Sequence, residues 1–430
     1  MRLPWHIVEP LDGRTFAEVR RAAIFECCKW DPQVEDVCAM SALPVVLTQE
    51  AWAELVVLAE QLARETLLAE SAILQKRQCL GELGLPWSLR RRLRGLTLPE
   101  GGQHHLRLIR FDFHFTTEGW RISEANSDVP GGFSEASGFT RLMSDHYRRA
   151  VVPCDPMLEL TRAIRDSACG GDTVALVHAT AFTDDRQVMV QLARHLKTAG
   201  MRAVLVGPDQ LRWNEGCAFV DTDWFRGGAH FVFRFFPAEW LPALPRLSAW
   251  WHLLGDSRTP LCNPGAAIVT QSKRFPLVWP ELGVELPAWS RLLPLTCDPR
   301  HADTCLSEGN RMWKPALGRV GDFIQMAGVT PEKESRRIAR AVRRHPRYWV
   351  AQQRFEAVPL EGPEGRLYPC VGIYTLNARV IGAYGRIASK PLIDHLAQDA
   401  AVLVAQAIPI GLNTHNHSHE FNRTLHTVGA

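Results

Sequence analysis

"DTVALVHATAFTDDRQVMVQLARHLKTAGMRAVLVG", residues 172–207, switches from strand to helix and back to strand. Its two ends are continuous runs rich in Val and Leu, the pattern of strands buried on both faces of a parallel sheet. Between them "VMVQLARHLKTAG" repeats apolar positions at helical spacing and stops at Gly200. Strand, helix and strand in this order predict a βαβ unit, which makes the chain α/β.

Outward from this unit, "HFVFRFFPAEWL" (230–241) predicts another strand of the same lobe. Residues 151–260 therefore read as a Rossmann-like subdomain, without the GxGxxG fingerprint that would imply a dinucleotide. Upstream, residues 14–30 and 47–78 carry apolar positions every three or four residues, so 1–104 is expected to be a helical N-terminal region. Residues 105–126 alternate instead and turn at Thr116–Gly119, a hairpin. On its first strand Arg110, Asp112 and His114 share the face opposite the phenylalanines. "VPGGFSEASG" (129–138) reads as a glycine-rich loop. After residue 261 strands ("RMWKPA", "RYWVAQQRFEAVP", "YPCVGIYTLNARVIGAYGRI") mix with helices at "PEKESRRIARAVRRH" and "LIDHLAQDAAVLVAQA" (392–407), and "NAR" (377–379) is a hairpin turn. The last residues, 411–430, are polar.

At 430 residues the chain is long enough for two or three lobes, and 46% hydrophobic with 22% charged residues is an ordinary globular balance. Lys plus Arg number 49 against 46 Asp plus Glu, and the one basic run, "LRRRLRG" (89–95), lies among leucines as a solvated helix face would. A nucleic-acid partner is not indicated. Neither a secretory h-region nor a membrane-length apolar segment is present, and eleven cysteines without CxxC spacing fit reduced thiols in a cytoplasm. Oligomeric state is not readable from the sequence.

"RFDFHFTTEGWRISEANSD" (110–128) brings Arg110, Asp112, Glu124 and Asn126 onto one end of the hairpin. Two carboxylates and an amide make an oxygen-rich set of the kind that shares Mg²⁺ with substrate phosphates; the alternative is a solvated, charged strand face. "WKPALGRVGDFI" (313–324) follows Lys314 with Gly318, Arg319 and Gly321, a loop able to bring N–H groups to phosphates, or an ordinary glycine turn. It lacks the Walker pattern. "YWVAQQRFEAVPLEG" ends a strand in paired glutamines, and "GAYGRIAS" sets Arg386 among small residues where its fork can hold a phosphoryl or oxyanion group.

Taken in this order, Asp112, Glu124-Ala-Asn126, Lys273 in "TQSKRFPLVW", Lys314-Pro with "GRVG", Gln352 and Arg386 resemble the circularly permuted ATP-grasp ligases related to glutathionylspermidine synthase. The resemblance spans about residues 105–405. It implies an ATP-grasp fold in two segments, 105–150 with the metal-binding hairpin and 261–410 with the nucleotide clamp and lid, around a pre-ATP-grasp subdomain at 151–260, with a polar tail at 411–430. It also implies ATP and Mg²⁺ as cofactors. Asp112, Glu124 and Asn126 would be metal ligands, with Arg110 beside the reacting group. Lys273 and Lys314 would hold phosphates, Gly318, Arg319 and Gly321 would form the lid, Gln352 would lie at the adenine hinge, and Arg386 would face the acyl phosphate. Glutathione is not carried over, because Val129-Pro130-Gly131-Gly132 stands where that family has hydroxyl and thiol side chains; spermidine is not carried over either.

"FRFFPAEWL" resembles a family segment facing the amine pocket, which makes Glu239 a candidate for a cationic substrate; a plain surface carboxylate is the alternative. His178, Asp184, Asp185 and Arg186 follow a buried strand, where open α/β sheets bind ligands, or form a satisfied polar loop. His415, His417 and His419 alternate as transition-metal ligands on a strand would, or belong to a polar tail. The expected activity is ATP-dependent joining of a small-molecule or peptide carboxylate to an amine. The competing readings are an ATP-binding partner protein without its own ligase activity, and a small-molecule kinase.

Overall fold

The computed structural model describes residues 2–96, 105–168, 170–318, 323–363 and 365–406. It is a mixed α/β structure. The expected βαβ unit forms: Thr173–His178 and Arg202–Val206 pair in parallel, with helix Thr183–Thr198 between them in sequence. Phe231–Phe235 pairs in parallel on the other side of Thr173–His178, and Leu261–Cys262 completes the sheet. All six residues of Thr173–His178 are buried, as the unbroken apolar run requires.

A larger antiparallel sheet lies at the centre of the fold. Its strands run in the order Gln398–Ala400, Arg379–Ala388, Gly365–Leu376, Leu108–Thr116 and Gly119–Asn126, with Leu360–Gly362 also pairing Gly365–Leu376. The hairpin at 108–126 is thus an integral part of it, and the Asn377-Ala378 turn adopts positive φ at both residues (49° and 61°), as a two-residue hairpin demands. Helix Gln49–Gln75, roughly 40 Å long at 1.5 Å per residue, packs its buried Leu55, Leu58, Leu62, Ala69 and Ile73 into the same core as Phe111, Phe113, Ile373 and Ala383. Thr48 caps its start by accepting from Ala51 N–H. Among the described residues no helix is long and apolar enough to cross a membrane.

A third sheet, Thr296–Cys297, Trp349–Gln353, Arg311–Pro315 and Gln325–Met326, carries Lys314 and Gln352. Leu106 N–H donates to Leu261 C=O (2.8 Å), so the chain enters the hairpin from the edge of the parallel sheet.

Two expectations are corrected. Of the run read as a helix over 392–407, the described part, 392–406, is not helical: Gln398–Ala400 and Val402–Ala405 are strands, the second pairing in parallel with Val45–Leu47. A short, uniformly apolar run such as "AAVLVA" carries no periodicity that separates helix from strand, and here pairing with a distant strand decides. The loop read over 129–138 ends in a π-helical turn, Glu135–Phe139, that continues into helix Thr140–Ser144.

Candidate active site

The hairpin register sets Asp112 opposite Glu124 and Arg110 opposite Asn126. Just beyond, the ladder shifts by one residue and leaves Ser123 extra, which turns its carbonyl toward Lys314. Arg110 grips Asp112 with two bonds, Nε to Oδ1 (2.6 Å) and Nη2 to Oδ2 (3.0 Å). Asn126 Nδ2 donates to the same Oδ2 at 3.2 Å, so its amide oxygen points its lone pairs elsewhere. Arg386 reaches that oxygen at 3.4 Å from two strands away. Gly372 lies across from Asp112, and a Cβ there would come within 2.8 Å of Arg110 Cδ and 3.0 Å of Asp112 Oδ1; only glycine leaves room for the pair.

The lysines close the cluster. Lys273 Nζ pairs with Glu124 Oε2 (2.8 Å) and donates to Gly318 C=O (3.0 Å). Lys314 Nζ donates to Gln352 Oε1 (2.7 Å) and Ser123 C=O (3.2 Å). Four cations, Arg110, Arg386, Lys273 and Lys314, therefore surround two carboxylates, Asp112 and Glu124, an excess of two positive charges in a buried setting. Such an excess suits a polyanion bound together with a divalent cation better than a metal alone. Asp112, Glu124 and Asn126 supply oxygen donors of the kind Mg²⁺ shares with phosphates; among the described residues no group of three or more His, Cys, Asp or Glu gathers into a protein-only cage.

Burial works against charge here and is answered by neighbours. It would raise the Glu124 carboxyl, but the Lys273 ammonium, with Lys314 and Arg386 behind it, pulls it down to about 2. Burial lowers Lys314 to about 8, assisted by Lys273 and opposed by Glu124 and Asp112. His114, buried beside the cluster with Nε2 3.2 Å from Ser123 Oγ, is lowered to about 4 by burial and is neutral at physiological pH.

Gln352, expected from the resemblance at the adenine hinge, lies beside Lys314 with both ends of its amide engaged: Oε1 accepts from Lys314, and Nε2 donates to Thr296 Oγ1 (2.9 Å). Its backbone sits inside the sheet, between Thr296 and Met312. It orients the lysine. Gly318 meets Lys273 through its carbonyl, and a Cβ there would fall 2.4 Å from Pro315 Cγ. Arg319 and Gly321, like His415, His417 and His419, lie outside the described residues. Glu239 and Asp185 are half-buried and follow the parallel strands Phe231–Phe235 and Thr173–His178 in sequence, near Trp240 and Phe182, whose rings stack on each other (centroids 5.9 Å). His178 and Arg186 line a separate cavity of about 530 Å³ with Trp224.

Residues that the sequence reading passed over hold this cluster in place. Gly131 C=O accepts from both Arg110 Nη1 (2.8 Å) and the Tyr374 hydroxyl. Arg110 also lies over the Tyr384 ring, 5.1 Å from its centroid, and the Tyr384 hydroxyl bonds Asp399. Asp399, Glu135 and Asp31 in turn surround buried Lys29 at 2.9, 2.7 and 3.1 Å, which holds this ammonium well above its ordinary pKa although burial opposes it. Gly132 has φ +87°, and a Cβ there would lie 3.0 Å from both the Tyr374 hydroxyl and the Tyr384 ring. Gly132→Ala is expected to cost about 1–3 kcal/mol and to loosen Arg110, read as a lowered denaturation midpoint. On the other side, Asp128 is held by Arg234 (2.5 Å) and Ala238 N–H (2.9 Å), and Asn263 Nδ2 donates to the carbonyls of Leu108, Ser127 and Asp128. An arginine inside "FVFRFF" was the available signal, since a buried charge requires a partner.

No protein-family model matches the chain, and no curated protein is similar to it in sequence. Among solved structures the chain is similar to a glutathione synthetase-like effector from Globodera pallida, with a TM-score of 0.62 at 11% identity over 93% of this chain and 100% of the other. That likeness establishes a glutathione synthetase-like fold and nothing finer. A candidate gamma-glutamylcysteine synthetase from Methylobacillus flagellatus also matches, at 12% identity over 78% of this chain and 87% of the other, with a TM-score of 0.40 that is too low to fix a shared fold.

Proposed function

We propose that the chain is an ATP-dependent carboxylate–amine ligase of the circularly permuted ATP-grasp type. The observation that carries this reading is the meeting of Asp112, Glu124 and Asn126 with Lys273, Lys314, Arg110 and Arg386, contributed by segments from both halves of the sequence. The division into 1–104, 105–150, 151–260, 261–410 and 411–430 belongs to the same proposal. It is supported by Leu108–Thr116 pairing with Gly365–Leu376, which joins the two expected ATP-grasp segments in one sheet.

In this reading Asp112, Glu124 and Asn126 would hold Mg²⁺, which when bound would offset the charge of the ATP phosphates. Lys273 and Lys314 set the phosphate chain against the hairpin, and Gln352 fixes the direction of Lys314. Arg386 and Arg110 face the acceptor, where a substrate carboxylate oxygen attacks the γ-phosphorus and ADP leaves. The amine then attacks the acyl carbon, phosphate departs and the amine proton passes to solvent. The work of the protein is positioning and charge compensation, which phosphoryl transfer chiefly needs. Glu239 is proposed to contact the amine, and Asp185 a substrate.

The test is an ADP-release screen of amino acids, peptides and polyamines with Mg-ATP, followed by mass spectrometry of the coupled product. Hydroxylamine capture of an acyl phosphate distinguishes a ligase from a kinase. ATP binding that stabilises the protein, with no ADP release from any carboxylate and amine pair, would overturn ligase activity in favour of a binding partner.

The lysine also predicts a pH dependence. With its ammonium at about 8, Lys314 is largely protonated at pH 7 and loses its charge as pH rises through 8. The kcat/KM for ATP, which reports the free enzyme, is expected to fall on that limb. Lys314→Arg should carry the limb to higher pH; an unchanged profile would remove Lys314 from phosphate binding.

A further inference from the structure

Away from this cluster, a cavity of about 480 Å³ opens between helix Pro156–Ser167, helix Thr183–Thr198, helix Thr140–Ser144 and the end of helix Gly13–Glu26. Arg141, Arg162, Arg165 and Arg194 line it against two acids, Glu26 and Asp155. Asp155 is turned to its own helix, with Oδ1 capping the N–H groups of Met157 (3.0 Å) and Leu158 (3.1 Å). Arg194 donates to the backbone carbonyl of Glu26 (3.1 Å), and among the described residues it pairs with no carboxylate. Arg162 and Arg165 pair with Glu159 and Asp166 in exposed contacts of the kind that contribute little and exchange readily. The walls therefore carry a net positive charge in a concavity of small-ligand size.

Two neutral groups refine the chemistry. Gln191 lines the cavity, and its buried Oε1 accepts no hydrogen bond among the described residues. Ser137 also lines it; its oxygen accepts from Met157 N–H (3.0 Å), which leaves the hydroxyl proton available to an anion. A vacant acceptor and an available donor beside four guanidiniums match a ligand that carries several negative charges and an O–H or N–H of its own.

We propose that this cavity is a binding site for a small hydroxylated polyanion, a polycarboxylate or a phosphate ester, separate from the cluster at Asp112. The proposal stands independently of the ligase reading.

The test is isothermal titration of the full chain, without nucleotide or metal, using citrate as the polycarboxylate probe and glycerol 3-phosphate as the phosphate-ester probe. Saturable one-to-one binding of at least one probe in the millimolar range or tighter is expected, and which one binds identifies the source of charge. Arg141→Ala/Arg194→Ala is expected to weaken that binding roughly tenfold or more, since charge-assisted bonds are lost, with an unchanged melting temperature because both side chains are exposed. Gln191→Leu should weaken it severalfold and serves as a second, charge-neutral variant. No saturable binding of either probe by the wild type, or a loss below about threefold in the double arginine variant, would overturn the site.

Discussion

Glu124→Gln is expected to lower ADP release by about 10³-fold or more, the scale on which a single charge-stabilising group acts in phosphoryl transfer, while the melting temperature falls by only a few degrees. The substitution keeps the side chain's volume, and Lys273 retains the Gly318 carbonyl and an amide oxygen as partners. What is lost is one negative charge facing the proposed metal. Asp112→Asn is the less clean experiment, because Asp112 is buried under two guanidiniums and its neutralisation would leave both uncompensated. Wild-type turnover in Glu124→Gln would show that Glu124 holds no catalytic metal. Acid titration gives a second readout. The depressed Glu124 carboxyl contributes stability that is present above its ordinary value of 4.5 and is lost as pH falls toward about 2, so the variant should show a flatter acid limb between those limits.

The largest loss of stability is expected at Arg234. Its side chain is fully buried and bonds Asp128 at 2.5 Å, the Asn263 carbonyl at 2.8 Å and the Phe236 carbonyl. Arg234→Met would strand the Asp128 carboxylate in the interior and is expected to cost about 3–5 kcal/mol in denaturant unfolding. Adding Asp128→Asn should return part of that cost, since the stranded charge is then gone, and the double variant should be more stable than Arg234→Met by about 1 kcal/mol or more. If Arg234→Met alone lost less than about 1 kcal/mol, this pair would not be what fastens the parallel sheet to the hairpin.

The elements legible in advance were those whose signals are local. The βαβ unit followed from apolar runs and a helical period, and the hairpin from alternation plus a turn, but the one-residue shift at Ser123 that sets Asp112 opposite Glu124 and Arg110 opposite Asn126 has no signal in the alternation. Lys314 and Arg386 stood out in short local runs and Lys273 through family resemblance, and the convergence of all three on the hairpin depends on pairings no local pattern encodes. That both ends of the Gln352 amide are engaged, by Lys314 and Thr296, could not be seen in a residue list. The grouping of Lys29 with Glu135 and Asp399 was hidden for the same reason: three well-separated segments meet only after the sheets are assembled.

The pairing of Val402–Ala405 with Val45–Leu47 joins an early strand to a late one. During synthesis Val45, Val46 and Leu47, all buried in the finished molecule, wait without that neighbour until most of the chain has left the ribosome. Long-range parallel closure of this kind is slow and leaves apolar edges open to wrong partners. Expression yield should therefore depend on chaperone supply and growth temperature more than on the thermodynamic stability of the final fold.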